Sequence, residues 1–149
     1  MLLQLASSLA LGHVVFTDFK GRYIHLFTMI AILGLTIGRV YWLGTWAIWE
    51  FFALNLIFVT LLLAISIWVV AKKQHKHWTD IMGLGDILFL YLLCFWMDTV
   101  PFVIYFNVSL LVSLVLHFLL LKFSWYRADR GVPFAGYFAF TLVIFLLMP

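Results

Sequence analysis

Six apolar runs dominate the sequence, near residues 1–17, 24–43, 46–71, 82–97, 100–121 and 132–148. A membrane-crossing helix takes about 20 apolar residues, with a range of roughly 17–25. Lipid has no water to bond the backbone, so only helices and closed barrels cross it. Barrel strands alternate polar and apolar side chains. Runs such as Leu110-Leu111-Val112 and Leu119-Leu120-Leu121 do not alternate. The pattern therefore predicts an all-α, polytopic membrane protein, with six transmembrane helices forming a single domain over residues 1–149. Composition agrees, because the chain is 66% hydrophobic and 10% charged, whereas a soluble domain is about half apolar and a quarter charged. Fifteen charged side chains do not supply the polar surface that a soluble fold of 149 residues needs. The single cysteine, Cys94, excludes an internal disulfide and any four-cysteine zinc site. The first run lacks the basic opening of a signal peptide and reads as a retained helix.

The charges punctuate the chain and orient it. Lys20 and Arg22 follow the first run, Lys72, Lys73 and Lys76 the third, and Lys122, Arg127 and Arg130 the fifth. With six spans, these eight residues share one side, and only Arg39 lies on the other. Basic loops stay in the cytoplasm, so both termini are expected on the non-cytoplasmic side. The net charge of +3 is this topology signal, split over three loops, and does not point to a nucleic-acid partner. The expected partner surface is the lipid bilayer. Trp42, Trp46, Trp49 and Trp96 fall near the outer boundary of such a topology, and Trp68, Trp78 and Trp125 near the inner one. Indole favours both interfaces.

Acids inside membrane spans are costly and functional by default. Asp18 ends the first run, and Asp86 lies about one turn into the fourth. The first helix ends where the fourth begins, so parity assigns Asp18 and Asp86 to one leaflet, and Glu50 and Asp98 to the other. Asp129 lies between Arg127 and Arg130 and reads as a solvated ion pair. Asp80 precedes the fourth run and reads as a helix N-terminal acid. Two carboxylates in one leaflet can form an aspartyl dyad that shares a proton, because like charges close together do not both ionise. The ionised acid takes a proton from water, and the protonated one polarises the scissile carbonyl. This chemistry requires no metal and no cofactor. The competing reading is two separate structural acids, each paired with a nearby cation. Gly83 and Gly85 precede Asp86 in Gly83-Leu84-Gly85-Asp86, and glycine lets another backbone approach closely.

Together these features resemble the GxGD-type membrane aspartyl proteases, above all the type IV prepilin peptidases and the preflagellin peptidases. In that family one aspartate ends a core helix and opens a turn of the form D-x-(K/R)-x-R-x-I. Asp18-Phe19-Lys20-Gly21-Arg22-Tyr23-Ile24 matches it. The second family aspartate closes a GxGD motif, matched by Gly83 to Asp86, and a Pro-Phe element opens the last helix, as in Val132-Pro133-Phe134. The likeness implies catalytic Asp18 and Asp86. It implies a site shaped by Gly83, Gly85, Lys20, Arg22, Pro133 and Phe134. It further implies removal of a leader peptide from a pilin-like precursor at the cytoplasmic face of the inner membrane. Ile24 is followed by His25-Leu26 where bacterial members continue Ile-Pro-Asn, and Ile87 follows the GxGD acid where a lysine commonly comes soon after. The paired cysteines that accompany N-methylation in longer members are absent from these 149 residues, and the expectation is a peptidase without methyltransferase activity. The alternative is a non-catalytic six-helix protein: an inactive homologue, a secretion or pilus assembly subunit, or a small transporter.

Other polar residues take milder readings. His75 and His77 flank Lys76 in a basic loop suited to lipid headgroups. His13 and His117 lie within spans and read as interhelical hydrogen-bonding groups, as do Asn107, Ser109 and Ser113. His13 precedes Asp18 by five residues, about 140° round a helix, and does not share its face.

Overall fold

A computed structural model describes residues 2–21, 23–43, 48–74, 82–122 and 134–147. Among them are six helices and no strand: α1 (Leu2–Gly21), α2 (Leu26–Leu43), α3 (Ile48–Gln74), α4 (Leu84–Leu93), α5 (Thr99–Lys122) and α6 (Phe134–Leu147). All-helical architecture thus follows from the apolar runs. Span length is a separate matter. Two helices, over Trp49–Lys73 and Thr99–Leu120, are long and apolar enough to cross a membrane. Only 17% and 22% of their apolar windows are buried inside the protein. Apolar helices that mostly face outward are not the core of a soluble fold. α1 has 20 residues, but Gln4, Ser7, Ser8, His13, Asp18 and Lys20 dilute its apolar content. α4 has ten residues and rises about 15 Å, half of a hydrocarbon core of about 30 Å.

The chain divides into two compact units, Met1–Leu35 with Val103–Pro149, and Thr36–Phe102. In the first unit α1 packs along α6. Leu11 and Val14 of α1 and Ala135, Tyr137, Phe138, Ala139 and Leu142 of α6 are fully buried. Ala135 and Ala139 are four residues apart, the small-residue spacing that lets membrane helices approach closely. α5 joins α6 through polar bonds as well as rings. The Tyr105 hydroxyl donates to the Phe138 carbonyl at 2.7 Å, and Ser109 and Thr141 share a hydroxyl bond of 2.7 Å. Ser109 therefore makes the interhelical contact its sequence position predicts. Ser113 and Asn107 do not, since Ser113 donates to the Ser109 carbonyl and Asn107 to the Val103 carbonyl of their own helix. Both reach the carbonyl four residues back on their own helix, a bond that competes with interhelical ones.

In the second unit α3 packs on α4. The fourth apolar run was expected to continue to residue 97, yet α4 stops at Leu93. The cause is Asn55 on α3, fully buried, whose Nδ2 donates to the carbonyls of Cys94 at 3.1 Å and Met97 at 3.0 Å. These bonds satisfy the carbonyl of the C-cap residue Cys94 and that of Met97 in the turn beyond it, and the stacked pair Phe52–Phe95, with ring centroids 3.7 Å apart, covers the turn. Trp96 is buried in this turn: its Nε1–H donates to Thr36 Oγ1 at 3.1 Å, with the Arg39 guanidinium 5.4 Å above the ring. Pro101 falls in the first turn of α5, where a missing N–H costs nothing.

Asn55→Leu tests this helix stop. Interhelical polar bonds in membranes contribute about 0.6 kcal/mol on average and at most about 1.7. Two bonds are lost, but Asn55 Oδ1 finds no hydrogen-bond partner among the described residues. The variant removes that unsatisfied acceptor too, which offsets part of the loss. A net destabilisation of about 1 kcal/mol is expected in detergent unfolding. Unchanged stability would show that Asn55 does not hold the turn.

Candidate functional site

Asp18 stands three residues before the end of α1 and is only 4% exposed. Its Oδ2 accepts the backbone N–H of Gly136 at 2.6 Å. Gly136 lies in the first turn of α6, where N–H groups have no partner within the helix. The same turn carries the positive end of the helix dipole, which favours a carboxylate there. The approach depends on glycine. A Cβ at position 136 would stand 3.1 Å from Asp18 Oδ2 and 3.0 Å from two Phe19 ring carbons. Phe19 meets Tyr137 edge-on with centroids 5.1 Å apart, walling the carboxylate on one side. The preceding turn is tied by the Thr17 hydroxyl, which donates to the carbonyls of His13 at 2.9 Å and Val14 at 3.2 Å.

Asp86 belongs to the second unit. It sits in the first turn of α4 rather than a turn inside it, because Gly83 is the N-cap, with φ −67° and ψ 143°. The N–H groups of Asp86 and Ile87 donate to the Gly83 carbonyl at 3.1 and 3.3 Å. Asp86 is half-buried, and its carboxylate folds back over the helix start: a Cβ on Gly83 would lie 3.2 Å from Oδ2. This is the position from which an acidic side chain in the third helical residue faces the cap. Each candidate acid therefore sits at a helix N-terminus within its own unit, Asp18 against α6 and Asp86 on α4.

Of the residues expected to shape the site, Phe134 opens α6, is half-buried and stacks on Phe138 with centroids 4.8 Å apart. Gly85 is half-buried in the first turn of α4. Lys20 is exposed, with its ammonium 5.5 Å from the centre of the Phe16 ring one turn back. Arg22 and Pro133 lie outside the described residues, as do His75 and His77. Sequence reading missed Gly136, Phe19 and Tyr137. The available signal was Gly136 itself, which follows Pro133-Phe134-Ala135 at the head of an apolar run. His117 makes its interhelical contact as a ring, 6.5 Å from Tyr137. Protein-family models, curated proteins and solved structures were compared with the chain, and none matches it.

Proposed function

We propose that the chain is a multi-pass aspartyl endopeptidase of the inner membrane, similar to prepilin and preflagellin peptidases. Its six apolar runs cross the bilayer with both termini outside, and it cuts leader peptides from pilin-like precursors at the cytoplasmic face. One observation carries the reading. Asp18 bonds the first turn of α6, 118 residues away in sequence, and Phe134 of the Pro-Phe element opens that turn. Two separate elements of the motif set thus belong to one local structure, which unrelated matches would not require. In the reaction, Asp18 and Asp86 share one proton. The ionised carboxylate takes a proton from water, whose oxygen adds to the scissile carbonyl, while the protonated acid donates to the carbonyl oxygen. Collapse of the tetrahedral intermediate breaks the C–N bond, and the amine leaves with a proton from the dyad. Gly83 and Gly85 leave room for the substrate strand, and Lys20 and Arg22 hold the turn after Asp18.

The non-catalytic reading has its own support, since a buried carboxylate on a helix N-terminus also serves a purely structural end. One assay separates them. The chain is co-expressed with pilin-like precursors, and leader removal is followed by mass spectrometry. Cleavage just before the precursor's hydrophobic segment, absent without the chain, supports the peptidase; intact precursors throughout support the structural role.

Gly83→Ser gives a finer test. Serine is a favoured N-cap and the backbone angles at position 83 suit any residue. Its Cβ, however, presses on the Asp86 carboxylate from 3.2 Å. Small displacements of a reacting group cost up to about a hundredfold in rate. Normal accumulation in the membrane is expected, with cleavage down about tenfold. Full cleavage by Gly83→Ser would mean that Asp86 needs no such space.

A further inference from the structure

We propose that His13 and His25 form a two-imidazole site for a late first-row divalent cation, with Thr28 orienting one ligand. The site lies wholly in the first unit, on a face of α1 other than that of Asp18, and is independent of the peptidase reading. His13 projects from α1, and His25 immediately precedes α2. Both are exposed, and their ring centroids stand 5.6 Å apart. That separation has a chemical meaning. A zinc–imidazole bond of about 2.1 Å puts each ring centre about 3.3 Å from the ion, so two rings on one tetrahedral ion stand about 5.4 Å apart. Ordinary aromatic contacts span about 4.5–7 Å, so the spacing admits a shared ion and the surrounding groups carry the assignment.

The surroundings fit a ligand pair. Thr28 Oγ1 lies 2.8 Å from His13 Nδ1 and is 8% exposed. When Nδ1–H donates to Thr28, Nε2 keeps its lone pair for a metal. Metal-bound histidines regularly donate their second N–H in this way, which fixes tautomer and ring plane. Tyr23 holds the His25 ring edge-on at 4.9 Å. An open groove of about 440 Å³, lined by Ala10, His13, His25, Phe27, Thr28 and Ala31, gives the ion access and room for water. No group of three or more His, Cys, Asp or Glu among the described residues could hold a metal. The proposed ion therefore keeps open positions, filled by water or by an incoming donor. Neutral nitrogen ligands select copper, nickel and zinc over magnesium and calcium, with Cu²⁺ binding most tightly. A bound ion would tie α1 to the turn that enters α2.

The test uses the full chain in detergent micelles, purified with a histidine-free tag. Cu²⁺ is the probe for electron paramagnetic resonance, and Zn²⁺ the competitor. The expected spectrum shows two imidazole nitrogens on one bound ion, and Zn²⁺ displaces it. His25→Ala, in an exposed position before α2, and His13→Gln each abolish that two-nitrogen signature. Thr28→Val keeps both ligands but weakens binding about 10–100-fold, the usual cost of losing such a partner. A His75→Ala/His77→Ala variant retains the site. The proposal is overturned if binding survives His13→Gln and His25→Ala unchanged, if it disappears with His75 and His77, or if no copper with imidazole ligation is seen. Circular dichroism and gel filtration of each variant separate lost ligation from lost fold.

Discussion

Asp18→Asn is expected to abolish leader cleavage while leaving the chain folded and inserted, and Asp86→Asn to do the same. The two effects separate because an Asn side chain keeps the oxygen and loses the exchangeable acid. At position 18 the amide oxygen can still accept the Gly136 N–H that now bonds Oδ2 at 2.6 Å. The burial of Asp18, at 4% exposed, suits the neutral amide at least as well as a carboxylate. At position 86 the short amide still faces the start of α4. What neither variant does is take a proton from water or hand one to a carbonyl. General acid–base steps are worth about 10²–10⁴-fold each, and a dyad acts as a unit, so either substitution alone should remove nearly the whole enhancement. Leader removal is measured by mass spectrometry, and insertion by membrane fractionation. An Asn variant that cleaves at the parental rate would assign both acids a structural role. Loss of insertion along with cleavage would assign that role to the acid concerned.

The helical architecture was legible because lipid leaves the backbone few options, and runs of apolar residues without alternation select one of them. Asp18 and Asp86 were legible for a related reason: charge is so scarce in this chain that each acid near an apolar run stands out. Partners were harder to see. Gly83 and Gly85 are visible because they precede Asp86 in sequence. The close approach around Asp18 comes instead from Gly136, on a helix 118 residues away, and hydropathy does not report which helices meet. The end of α4 was misplaced for the same reason. Residues 94–97 are as apolar as the helix before them, and the stop is imposed by Asn55 from α3. The Trp96 partner is likewise set by helix packing, since its indole N–H donates to Thr36. His13 was read as an interhelical hydrogen-bonding group and does bond Thr28 of α2. That His25 stands beside it depends on the turn through residues 23–25, for which periodicity carries no signal.

Gly136→Leu is expected to destabilise the first unit by about 3 kcal/mol, the upper end of the usual cost of overpacking. The space is the reason. A Cβ already stands 3.0 Å from Phe19 and 3.1 Å from Asp18 Oδ2, and a leucine adds three further carbons to the same gap. Phe19 is fixed on its other side by Tyr137, 5.1 Å away and fully buried, so the ring has little freedom to withdraw. The Asp18 carboxylate and the Phe19 ring must both shift to make room. Gly136→Ala is the informative contrast, because two effects oppose each other. Alanine gains up to about 1 kcal/mol of helix propensity over glycine, while overpacking costs about 1–3 kcal/mol. A net loss of about 1 kcal/mol is expected, well below that of leucine. Combining Gly136→Ala with Asp18→Ala identifies the source. With the carboxylate gone, the clash at Oδ2 is relieved, and the double variant should be more stable than the sum of the single effects by about 1 kcal/mol or more. Detergent-unfolding curves for the four proteins measure the coupling. Strict additivity would mean that Gly136 is needed for Phe19 alone, and that the N–H bond to Asp18 tolerates a side chain on α6.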